Sequence, residues 1–71
     1  MDTKIKAKLE QLREDINIID GALNLAYQLI VRYTEAGNFS RANLTSDTID
    51  SLTEELIALK RERDQLMMLN A

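Results

Sequence analysis

Any chemistry in this chain has to be carried by carboxylates, amines and hydroxyls, because its 71 residues include neither His nor Cys. That removes the side chains most often used as general base, thiolate nucleophile or zinc ligand. Acidic pairs stand at Glu14-Asp15 and Glu54-Glu55, and Asp47 lies one helical turn from Asp50. Two carboxylates work together as acid and base where a concave, desolvated site pushes their pKa values apart. Each of these pairs falls instead on the polar face of a helical segment, where water reaches both members. Gly21 and Gly37 are the only glycines, so no Gly-rich loop cradles a phosphate. The expectation is a non-enzymatic protein with no catalytic residue, no metal, no cofactor and no small-molecule substrate.

The cations are better organised. Lys4, Lys6, Lys8 and Arg13 outnumber Asp2, Glu10 and Glu14 by one, and Lys60, Arg61 and Arg63 outnumber Glu62 and Asp64 by one, within a net charge of −3. Seven of the nine basic residues thus lie near the two ends of the chain, and the middle is acidic. If the chain folds back on itself these ends meet, and Lys4, Lys8, Lys60, Arg61 and Arg63 become a candidate contact for a polyanion. Five acids share that end and can pair at one-turn spacings such as Lys6 to Glu10 and Lys60 to Asp64. Tyr27, Tyr33 and Phe39 lie elsewhere and offer the bases nothing to stack on there. Nucleic acid is therefore the alternative partner, behind protein.

These side chains are positioned by helices. Ile5, Leu9, Leu12, Ile16, Ile19, Leu23, Ala26, Ile30 and Tyr33 follow one another at alternating steps of four and three. Such a seam predicts one long helix over about residues 3–36 with coiled-coil-like packing. Gly37 then stands where a helix C-terminus favours glycine. Phe39 to Asn43 reads as an irregular connection, and a second helix over about 45–70 is expected to start with Thr45 as N-cap, Asp47 in its first turn, and Leu44 stapled to Ile49. Its seam is Ile49, Leu52, Leu56, Leu59, Arg63 and Leu66. Arg63 interrupts the row: it either reaches Asp15 or Asp20 as a register device or lays its methylenes over Leu66 and brings its charge to water.

The fold class expected is all-α: a single domain over 1–71, an antiparallel two-helix hairpin. With Tyr33 opposite Ile49, Ile19 would face Arg63. The first helix, about 50 Å against about 37 Å at ~1.5 Å per residue, would project beyond the second and leave Ile5 and Leu9 without an intramolecular partner.

A second stripe, Ile18, Ala22, Leu25 and Leu29, lies beside the seam and gives the first helix an apolar face wider than the ~100° one neighbour covers. A chain this short gains only ~3–5 kcal/mol from one core and here has no disulfide or metal to staple it. Ile5, Leu9, Ile18, Ala22, Leu25 and Leu29 are accordingly the candidate subunit or partner interface. A homodimer forming a four-helix bundle is the first expectation and a protein hetero-partner the second. Met67 and Met68 either fill core space or lie in a loose tail, with an adaptable binding surface as the other reading. Residues 1–15 lack the continuous apolar core of a signal peptide. Asn17, Asp20 and Asn24 interrupt the most apolar stretch, so no membrane span is expected. The location expected is cytoplasmic.

In outline such a hairpin resembles two families of small helical proteins, the plasmid-encoded Rop-type RNA modulators and the small co-chaperones of type III secretion needle proteins. The likeness is one of architecture and carries no site residues. It implies a function in binding: a small regulator, inhibitor or co-chaperone acting on protein, or alternatively a Rop-like regulator that binds nucleic acid through the basic end.

Overall fold

The computed structural model describes residues 3–69, which form two helices, α1 (Thr3–Glu35) and α2 (Phe39–Leu69). They pack antiparallel into a rod 53 Å long and about 14 Å wide. The expected end of the second helix at Asn70 lies outside the described residues.

The turn is tighter than the sequence suggests. The Asn38 amide donates to the Tyr33 carbonyl at 2.8 Å and the Gly37 amide to the Thr34 carbonyl at 3.1 Å, while Gly37 sits at φ +73°. This is a Schellman closure, in which a left-handed glycine lets the last carbonyls of α1 find donors. The next residue starts α2. Asn38 Oδ1 accepts from the Arg41 amide at 3.3 Å and the Asn38 carbonyl accepts from the Ala42 amide at 3.0 Å, which makes Asn38 the N-cap. Only residues 36–38 connect the helices.

The second helix therefore begins at Phe39 and not near Thr45. Asn38 and Thr45 both have side chains suited to capping, and the tie is broken by Gly37, which hands the chain directly to Asn38. Thr45 Oγ1 donates instead to the Arg41 carbonyl at 2.8 Å, four residues back, and Asp47 is well inside the helix. Leu44 is no staple: it is exposed on the outer surface. The seam of α2 gains Ala42, which is buried, and Thr45, which is half-buried with its hydroxyl satisfied, ahead of Ile49. Thr53, beside the seam, meets its own hydroxyl demand in the same way at the Ile49 carbonyl, 2.7 Å away.

An earlier start changes the register. Ile49 packs with Leu23 and Ala26, and Ile19, Ile30, Leu52 and Leu56 close around them. The partner of Ile49 is thus one heptad before Tyr33 on α1. Because the shift is a whole heptad, every seam residue stays on the seam while its partner changes. Counting from Ala26–Ile49 brings Leu56 to Ile19 and Arg63 to Leu12, so Arg63 does not face Ile19. Leu12 is the most deeply buried side chain, at 1% exposure. Leu12, Ile16, Leu23, Ala26, Ala42 and Ile49 make up the buried core, and no buried polar side-chain atom among the described residues lacks a partner.

Nor does α1 project beyond α2. The helices are 33 and 31 residues long, and Lys8 Nζ on α1 meets Glu62 Oε1 on α2 at 3.4 Å. Ile5 and Leu9 are half-buried on the seam instead of overhanging it.

Replacing Asn38 by Ala removes the acceptor for the Arg41 amide and should cost about 1 kcal/mol. Thr45→Ala should cost less, since that hydroxyl caps nothing; urea unfolding followed by helical circular dichroism compares the two. In the same assay Leu12→Ala, which opens a cavity at the best-packed point, should cost about 2–5 kcal/mol.

Candidate functional site

A two-helix hairpin has two flanks, one on each side of its seam. On one flank α1 presents, at steps of three and four, Asp15, Ile18, Ala22, Leu25, Leu29 and Arg32. Ile18 is 67% and Leu25 57% exposed, while Ala22 and Leu29 are half-buried where they lean toward α2. The stripe read from the sequence therefore forms a continuous apolar row that α2 leaves open.

Position along α2 adds one residue that sequence reasoning placed elsewhere. Leu44, 62% exposed, lines a groove with Leu29, Tyr33, Arg41 and Thr48. It extends the apolar row across the interhelical groove at the turn end of the flank. The signal was present, since Leu44 lies two residues after Ala42 and four before Thr48, but it is readable only once α2 is known to start at Asn38. A second groove on the same flank, away from the turn, is lined by Ile18, Ile19 and Leu59 with Asp15 and Glu55. The two grooves are open and shallow, and they differ in charge: the one near the turn carries a guanidinium and the other carries two carboxylates. Gln11 Nε2 donates to Asp15 Oδ1 at 3.0 Å and holds that carboxylate in place.

The other exposed apolar residues lie outside this row. Tyr27 and Val31, one turn apart on α1, form a smaller exposed pair, Ile57 is exposed on α2, and Phe39 is exposed at the turn. Met67, Met68 and Leu69 are exposed at the end of α2, with Leu66 half-buried beside them, so the two methionines do not fill the core.

The basic end does assemble, as the Lys8–Glu62 contact shows. Two of its cations are paired there. Lys8 pairs with Glu62, and Arg63 pairs with the adjacent Asp64, with Nε and Nη2 each 3.1 Å from Oδ1. Arg63 does not reach Asp15 or Asp20; its half-buried stem crosses the seam and its charge stays at the surface. Neither the Lys6–Glu10 nor the Lys60–Asp64 pair is among the ion pairs of the described residues. Lys4, Lys60 and Arg61 lie on the surface of the same end. Lys8 and Arg63, being paired, would release fewer counterions from a phosphate backbone than unpaired cations do.

Among the described residues no His, Cys, Asp or Glu cluster could hold a metal ion, and no helix is long and apolar enough to cross a membrane.

Passed at low ionic strength over an immobilised generic RNA or DNA duplex, the chain should not be retained. Retention that falls steeply with added salt and disappears in Lys60→Ala/Arg61→Ala would return weight to the basic end. Set against models of protein families, curated proteins and solved structures, the chain matches none.

Proposed function

We propose that the chain is a non-enzymatic protein–protein interaction module, a small regulator, inhibitor or co-chaperone, that acts as a dimer of helical hairpins. One observation carries this reading: Ile18, Leu25 and Leu29 on α1, joined by Leu44 on α2, form a contiguous apolar row that the hairpin's own seam does not cover. Single exposed apolar side chains are ordinary on a protein surface, whereas a continuous row rimmed by charge marks an interface. A two-fold contact uses the same patch twice and so covers the row with no other gene product. Four helices around a shared centre would also enlarge a core that, among the described residues, consists of six buried side chains in the hairpin alone. A dimeric rod of this kind would present its outer helical faces to a target protein.

Leu25→Asp tests the reading, because Leu25 lies at the middle of the row and outside the hairpin core. In sedimentation equilibrium the unaltered chain should be a dimer at micromolar concentration, and Leu25→Asp a monomer that remains helical. Lys8→Ala, at the charged end, should leave the dimer intact, since an exposed ion pair contributes only about 0–1 kcal/mol. An unaltered chain that sediments as a folded monomer would sink the dimer.

A further inference from the structure

We propose that the exposed row of α1 is a second, self-complementary seam, which docks antiparallel on the same row of a second copy about a two-fold axis beside Ala22 and Leu25. The seam is closed at each end by Asp15 of one copy against Arg32 of the other. This rests on the dimer proposed above and specifies its geometry.

The row runs Asp15, Ile18, Ala22, Leu25, Leu29, Arg32, at steps of three, four, three, four and three. That series reads the same from either end. Two copies laid antiparallel with their midpoints together bring Asp15 to Arg32, Ile18 to Leu29 and Ala22 to Leu25, and each pairing occurs twice. The pairings are complementary in kind. An anion meets a cation at the two ends, branched apolar side chains meet between, and a large side chain meets a small one beside the axis.

The flanking grooves obey the same symmetry. The groove at Leu29 and Leu44 carries Arg41, and the groove at Ile18 and Leu59 carries Asp15 and Glu55. Antiparallel docking seats the first groove's leucines at the second groove of the other copy and turns Arg41 toward its carboxylates. Among the described residues Arg32 and Arg41 have no ion-pair partner within their own chain, and neither does Glu55. A parallel arrangement would instead set Asp15 on Asp15 and Arg32 on Arg32. Charge placement therefore selects the second copy and its direction together.

The experiment is a charge exchange on the full chain, read by sedimentation equilibrium with circular dichroism as the check on folding. Asp15→Arg alone, or Arg32→Asp alone, turns two attractive pairs into two repulsive ones and should weaken the dimer roughly tenfold. The double variant Asp15→Arg/Arg32→Asp should recover the affinity of the unaltered chain. A dimer indifferent to both single changes, or a double variant as weak as the singles, overturns this geometry while leaving the dimer itself in place. A helical monomer in the unaltered chain overturns the dimer, and this geometry with it, and assigns the row to a different protein.

Discussion

Two helices share one seam, and everything else about this molecule follows from what that seam takes and what it leaves. All nine apolar positions from Ile5 to Tyr33 are drawn to it from α1, and Ala42, Ile49, Leu52, Leu56, Leu59 and Leu66 from α2; every one is buried or half-buried. A helix facing a single neighbour can cover a stripe of roughly 100°. The next row on α1, through Ile18 and Leu25, lies outside that arc. Its exposure is a geometric consequence of having only two helices, whatever their sequence does elsewhere.

The turn decides how the seam is read. Gly37 in the left-handed conformation and Asn38 as N-cap act on successive residues, so one helix ends and the other begins within three residues. That tightness sets the level at which Ile49 meets Leu23 and Ala26, lets α2 run back as far as Lys8, and places Leu44 beside Leu29. A longer connection would have left the first turns of α1 uncovered and Leu44 in a loop. The open apolar surface is thus as much a product of Gly37 and Asn38 as of the apolar residues that form it.

Polar residues in this hairpin are arranged to cost little. Threonines on or beside the seam return their hydroxyls to the carbonyl four residues back, as Thr45 and Thr53 do. Arg63 occupies a seam position yet sends its guanidinium to Asp64 at the surface. Interrupting the seam with a long cation is tolerable because only the aliphatic stem needs to be covered. The same economy leaves Asp15 and Arg32 at opposite ends of the open row, with neither spent on the seam.

Local spacing by itself determined the helices, the seam, the glycine stop and the second row, because each depends on residues within a few turns of one another. Ile18, Ala22, Leu25 and Leu29 could be picked out with no structure at all. The tertiary structure decided the start of α2, since Asn38 and Thr45 are both competent caps and nothing in composition chooses between them. It also decided the register, because a heptad seam looks identical after a shift of seven residues and only the length of the turn removes that degeneracy. With the register came the loss of the expected overhang at Ile5 and Leu9, the level of Arg63 against Leu12, and the joining of Leu44 to the row. Periodicity says which side of a helix is apolar; the closure of the turn says what stands opposite it.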